Sequence, residues 1–208
     1  MVRPVIYTIG HSTHPIAYFI ELLKCYNVNC VVDVRSLAAS RFNPQYNKKS
    51  LATSLNSQRI EYLHFGEEFG ARQIDPSLLD EEGRVDFEKI RNSEKFTRGI
   101  ERLTKRLREG YSIALMCSES EPLYCHRFSM ISVALTDFDV RHILKDKSML
   151  TQPQLESNLL KMYSSKLTDP DIFHAEHSDQ DRLRRAYKLL NKSVAYSPAS
   201  NKRDFRKK

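Results

Sequence analysis

Short apolar runs that alternate with helix-periodic segments constrain this chain more than any other feature. The runs lie at 4–12, 28–36, 61–70, 111–118 and 139–144. Between them, 15–27 carries Ile16, Phe19, Ile20 and Leu23 at helical spacing, and 49–60 carries Leu51, Leu55 and Ile60. Residues 93–110 form a strongly amphipathic segment with Gly110 as its stop signal, and a further helix is predicted over 125–137. The stretch "VNCVVDVRS" reads as a second buried strand, β-branched and continuous, as befits a strand covered on both sides. The pattern predicts an α/β domain over residues 1–150, built as a three-layer, doubly wound, mostly parallel sheet of about five strands. Residues 71–92 read as an insertion or lid, 151–190 as a helical C-terminal extension, and 191–208 as a disordered basic tail.

The chain holds no apolar run of about 18 residues, so no membrane partner is expected. Its start, "MVRPVIYTIGHSTHP", reads as a first strand and not as a signal peptide. These features predict a cytoplasmic location in which the four cysteines, Cys25, Cys30, Cys117 and Cys125, stay reduced. The net charge of +7 is unevenly spread. Residues 1–180 hold 23 Lys/Arg against 24 Asp/Glu, whereas 181–208 hold 10 against 2. The body of the chain is therefore no basic nucleic-acid-binding core. The tail could contact phosphates without sequence specificity, or simply be a solvated terminus.

In a parallel α/β sheet, ligands bind beyond the carboxyl ends of the strands. The first exit offers Gly10, His11 and Ser12; the second Asp33, Arg35 and Ser36, with Arg41 in the following loop. The third offers His64, Glu67 and Glu68; the fourth Cys117 and Glu119, followed by Cys125, His126 and Arg127. One polar exit means little, because loops are polar. Four in succession, rich in His, Cys and Arg, predict a shared site.

The blocks "YTIGHS", "VVDVRSLAASRFNPQY", "YLHFGEEFGAR" and "ALMCSESEPLYCHR" resemble those of the uncharacterised family DUF488, over about residues 5–145. The sequence departs from that family's usual pattern at Ala38, where proline is common, at Phe65 in place of leucine, and in "FGAR" where "LGGR" is frequent. The resemblance implies an α/β fold and an enzyme-like pocket. It implies no particular reaction.

Several chemistries fit the cluster. Cys125, read as the first residue of a helix beside His126 and Arg127, has the surroundings that favour a thiolate. Its bland role is that of a small buried hydrophobe. Cys117 is the other candidate nucleophile. The catalytic set is then Cys117, Glu119, Cys125, His126, His64 and Glu67, with the two glutamates as acid–base groups. The anion-binding set is His11, Ser12, Arg35, Arg41 and Arg127, with the three arginines as a clamp for phosphate or carboxylate. Asp33 and Arg35 share a strand face at i, i+2 and read as a structural pair. A phosphatase-type or rhodanese-type Cys-x5-Arg loop is excluded, because position 123 is Leu123. No cofactor is expected.

The leading expectation is thus an enzyme acting on a small anionic, phosphate-bearing substrate, a nucleotide or nucleic-acid base among them. A glycosidic-bond or base-modifying reaction would suit its carboxylate and arginine groups. The first alternative is a module that binds the same ligands without turnover. The second is a zinc-stabilised interaction domain using Cys117, Cys125, His126 and either His64 or His11, although a Cys-x2-Cys pair is absent. Cys25 and Cys30 read as core filling, and His14, His174 and His177 as solvated.

Overall fold

A computed structural model describes residues 3–167 and 178–198. Its strands are β1 (Val5–Gly10), β2 (Cys30–Asp33), β3 (Glu61–His64), β4 (Ile113–Cys117), β5 (Asp139–Ile143) and β6 (Met149–Thr151). They form one sheet in the order β3-β2-β4-β1-β5-β6. All neighbours run parallel except β5 and β6. The mostly parallel α/β sheet expected from sequence is therefore present, with six strands instead of five. Three residues cannot carry a period-2 signal, which is why β6 escapes the sequence pattern. It folds back on β5 through a turn in which Asp146 accepts from Ser148 N–H and Lys147 takes a positive φ of 68°.

Alternation along each strand splits the core in two. Cys30, Val32, Ile113 and Leu115 face one side, and pack on helices α4 (Phe87–Arg91) and α5 (Glu94–Arg108) through Phe87, Ile90, Phe96 and Leu103. Val31, Ala114 and Met116 face the other side, against α1 (Ile16–Cys25) and α2 (Lys48–Asn56) through Phe19, Leu23, Leu51 and Leu55. A third cluster joins Phe128 to α6 (Gln152–Met162) and α7 (Asp179–Val194).

Local signals account for the helix ends. Ser93 caps α5 by accepting from Phe96 N–H, basic residues fill its last turn, and Gly110 follows with φ 89°. Thr151 and Gln154 form a reciprocal capping box at the start of α6. After β3 the chain turns into the short helix α3 (Gly66–Phe69).

Two sequence expectations are corrected. The stretch from Cys125 is no regular helix: Arg127–Ile131 is a wide π-type turn, followed by a 3-10 turn at Ser132–Ala134. The Ser132 hydroxyl donates to Arg127 O at 2.7 Å, a side-chain bond that competes with the regular helical ladder. Cys125 itself is extended, with φ −128° and ψ 140°. The second correction concerns the tail expected from residue 191. α7 runs on to Val194, and Val85 N–H donates to Tyr196 O at 2.9 Å. Residues 199–208, and with them most of the basic tail, lie outside the described residues, as do His174 and His177.

β1 and β4 are sheet neighbours whose onward chains leave in opposite directions: β1 leads to β2, and β4 leads past β1 to β5. α1 and the 127–131 turn consequently cover opposite faces. This is a topological switch point, and the crevice it opens at the carboxyl ends of β1 and β4 is where a ligand site forms in such sheets.

Candidate functional site

At the switch point the 118–120 turn is gripped from two sides. His11 N–H donates to Cys117 O and Ser12 N–H to Ser118 O, each at 2.9 Å. From the other side, Arg127 donates through Nη1 to Glu119 O at 2.6 Å and through Nη2 to Ser120 O at 2.9 Å. Gly10 is required for this approach, because a Cβ there would sit 1.9 Å from Glu119 O. The turn so held fixes where Cys117 and Glu119 point.

Four chemically active side chains meet there. Cys117 Sγ donates to Glu119 Oε2 at 2.9 Å, and Cys125 Sγ lies 3.5 Å from the same oxygen. His126 Nδ1 is 3.7 Å from Cys117 Sγ and 3.9 Å from Cys125 Sγ. His126 Nε2 sits 3.1 Å from Val34 O. A carbonyl only accepts, so Nε2 carries a proton, and Nδ1 is the atom that exchanges protons with the thiols. Hydrogen bonding to Cys125, followed by burial, holds the Cys117 thiol well above the ordinary range. Burial opposes ionisation of Cys125 as well. There the hydrogen bond from Cys117 and the charges of Arg127 and His126 outweigh it, and the thiol falls well below the ordinary range. For His126, burial is outweighed by the bond to Cys125, so its pKa rises. The cluster thus favours an ionised Cys125 beside a protonated Cys117.

A second polar group lies alongside. Arg35 donates to Asp33 through Nε at 2.8 Å and Nη2 at 2.6 Å, and also to Tyr46 O at 2.8 Å. Tyr62 OH donates to Asp33 Oδ2 at 2.8 Å. The Asp33–Arg35 pair expected from the i, i+2 spacing is made, and both residues are buried. His11 stacks on Tyr46 with ring centroids 4.0 Å apart. Its Nδ1 donates to Ser12 O at 2.7 Å, and its Nε2 accepts from Arg35 Nη1 at 3.1 Å. Burial, aided by Arg35, lowers the His11 pKa to about 4, so the ring is neutral at pH 7.

A cavity of about 670 Å³ opens above both groups. Ser12, Arg35, Arg72, Tyr124 and Tyr196 surround it, and Cys117, Glu119, Cys125 and His126 line its base.

The expected site residues divide accordingly. Cys117, Glu119, Cys125, His126, Ser12, His11 and Arg35 converge on one cavity. The three-arginine clamp is not formed. The Arg127 guanidinium is wholly buried and turned to backbone carbonyls, so Arg127 is a positioning residue. Arg41 is exposed and away from the cavity lining. Arg35 has five N–H donors, of which four are engaged, leaving one Nη1 hydrogen for a ligand. His11 cannot donate to an anion, since its only N–H is held by Ser12 O. His64 lies behind the site, with Nε2 donating to Arg35 O at 2.9 Å. Glu67 is exposed on α3, outside the cavity lining.

Arg72 is the site residue that the sequence reading missed. Its N–H donates to Ser36 Oγ at 2.9 Å, which draws it to the cavity edge. Gly70 permits this, because a Cβ there would meet Gly66 O at 2.2 Å and Ser36 Oγ at 2.5 Å. The "FGAR" block carried the signal.

Neither a curated protein nor a solved structure matches the chain. A family model matches residues 15–133, more than half of the sequence and most of the site described above. The chain belongs to the family described as Domain of unknown function DUF488.

Proposed function

We propose that this protein is an enzyme that seats a small anionic, phosphate-bearing substrate, a nucleotide or nucleic-acid base among the candidates. Cys117, Glu119, Cys125 and His126 are the reacting groups, and Arg35 and Arg72 receive the substrate's negative charge. One observation carries the reading: two thiols, each within reach of the Glu119 carboxylate on one side and of His126 Nδ1 on the other, lie at the base of a cavity of about 670 Å³. That volume suits a ligand of nucleotide size. A quartet serving packing alone would have no reason to face an opening, and perturbed groups in a cleft are the ordinary mark of a reactive site.

In this reading Glu119 acts as general acid or base, and Arg127 holds it in place by its own carbonyl. His126 moves protons through Nδ1 while Val34 O fixes the ring. His64 and Glu67 take no part. The four free cysteines suit a reducing, cytoplasmic setting. The basic C-terminal stretch adds weak phosphate contacts for a nucleic-acid substrate.

The test is incubation of the purified, reduced protein with nucleosides, nucleoside mono- and diphosphates, and short RNA and DNA strands, read by mass spectrometry. The expected result is turnover of one class, reduced about 100-fold or more in Glu119→Gln. Binding without turnover would replace the enzyme by a non-catalytic binding module. No binding and no turnover in any class would overturn both.

A further inference from the structure

We propose that Cys117 Sγ, Cys125 Sγ and His126 Nδ1 form a binding site for one divalent transition metal, zinc before others, with Glu119 Oε2 as the fourth donor. The site coincides with the reacting cluster, but the inference needs no substrate and is tested on the metal itself.

The three donor atoms lie within 4.8 Å of one another. Zinc bonds of about 2.3 Å to sulfur and 2.0–2.1 Å to nitrogen, at the tetrahedral angle, separate the two ligand atoms by about 3.6 Å. The observed sulfur-to-Nδ1 separations are 3.7 and 3.9 Å. A carboxylate oxygen on the same ion lies at about 3.6 Å from each sulfur. Glu119 Oε2 stands 3.5 Å from Cys125 Sγ and 2.9 Å from Cys117 Sγ but lies outside the three-donor group, so it becomes the fourth donor by moving off Cys117 toward the side of the ion that faces His126.

Three further observations fit a metal better than a thiol pair alone. First, His126 Nε2 is tied to Val34 O, the outer-shell bond that turns a ligating histidine's other nitrogen to its ion. Second, the turn carrying Cys117 and Glu119 is held by His11, Ser12 and Arg127 before any ligand arrives. Third, two sulfurs and a carboxylate oxygen are crowded together, with Glu119 Oε2 2.9 and 3.5 Å from the sulfurs, and the Arg127 guanidinium hydrogen-bonds backbone carbonyls and none of these three atoms. Crowded anionic donors in a low-dielectric site are costly unless a cation joins them. A thiolate pair with one imidazole selects zinc over magnesium or calcium. On binding, each thiol that is still protonated releases its proton to solvent as the sulfur–metal bond forms. His11 is excluded as a ligand because both its ring nitrogens are committed, and His64 because it lies behind the site, outside the cavity lining and the donor group.

The experiment is metal analysis of protein purified without a metal-affinity step, followed by Co²⁺ addition to the reduced, metal-stripped chain. The expected results are zinc near one per chain, visible bands of tetrahedral Co²⁺, and near-ultraviolet thiolate-to-metal charge transfer. Cys117→Ser and Cys125→Ser should each weaken Co²⁺ binding about tenfold or more. Cys25→Ser, at the exposed end of α1, should leave it unchanged. Glu119→Gln should shift the visible bands and keep the charge transfer. A wild-type measurement guards against misfolded variants: Zn²⁺ should shield Cys117 and Cys125, but not Cys25, from alkylation mapped by mass spectrometry. Sub-stoichiometric zinc together with no charge-transfer band, or Zn²⁺ that leaves both thiols as open to alkylation as before, would overturn the proposal. Metal binding without any turnover would sink the enzyme reading and leave this one standing.

Discussion

Two buried polar groups share one cavity and are built on opposite principles. The Asp33 group is closed. Asp33 meets Arg35 through both oxygens, Tyr62 adds a third bond, and His11 takes a further arginine hydrogen. The charges cancel within it. The Cys117 group is open: carboxylate and imidazole each approach the two thiols, and the Arg127 guanidinium serves the backbone. The first can be explained by folding alone, since buried charges persist when paired and hydrogen-bonded. The second has unspent valence for a proton, a substrate or an ion. A buried charge in a cleft is informative only after its local partners have been counted.

The contrast can be broken most forcefully at Asp33. Asp33→Ala leaves the Arg35 guanidinium buried without its partner and should cost about 3–5 kcal/mol in urea unfolding. Cys117→Ser in the metal-free, reduced protein should cost less than about 1.5 kcal/mol. Equal losses would abolish the distinction between the two groups. Next in size is Gly10→Ala, which forces the Glu119 carbonyl away. It should cost about 1–3 kcal/mol and slow alkylation or turnover at the cluster, with the Asp33 group unmoved.

The third prediction concerns acid. Burial lowers His11 to about 4 and His142 to about 3, the latter offset in part by its bond to Gln152. Both pKa values lie below that of an unfolded histidine, about 6.5. The unfolded chain therefore binds more protons as pH falls below about 6.5. Stability should decline by about 1.4 kcal/mol per pH unit for each histidine until the folded values are reached. A chain as stable at pH 5 as at pH 7 would contradict neutral rings at both sites, and His142→Gln should remove its share of the slope. The smallest stability effect belongs to Arg72→Ala. This exposed residue should change unfolding by no more than about 0.5 kcal/mol. In the proposed function it should still weaken phosphate or nucleotide binding about tenfold, measured by titration calorimetry.

The sheet was legible because its central strands β2 and β4 are buried on both faces, and α5 because its capping serine, apolar stripe and terminal Gly110 agree. The convergence of strand exits was legible too, since a parallel sheet brings its carboxyl ends to one side. Other features depend on partners far away in sequence. Arg127 resembles an anion ligand in a linear reading, and only the Glu119 and Ser120 carbonyls decide otherwise. The turn at 127–131 follows a hydroxyl bond from Ser132 that apolar spacing does not encode. Arg72 reaches the cavity because Gly70 lets the backbone lie against Ser36, a contact between chain segments more than thirty residues apart. His64 and Glu67 follow the same strand, yet one supports Arg35 from behind and the other faces solvent.

One side chain in α7 has a consequence for the cavity mouth. Asn191 accepts from Phe87 N–H at 2.8 Å and donates to Val85 O at 3.0 Å, pairing with that backbone as an adjoining strand would. A few residues later Val194 and Tyr196 reach the rim. The wall around the opening is therefore fastened by an amide clasp between segments a hundred positions apart. Any shortening of the polypeptide that removed Asn191 would unfasten the rim without touching a single reactive atom.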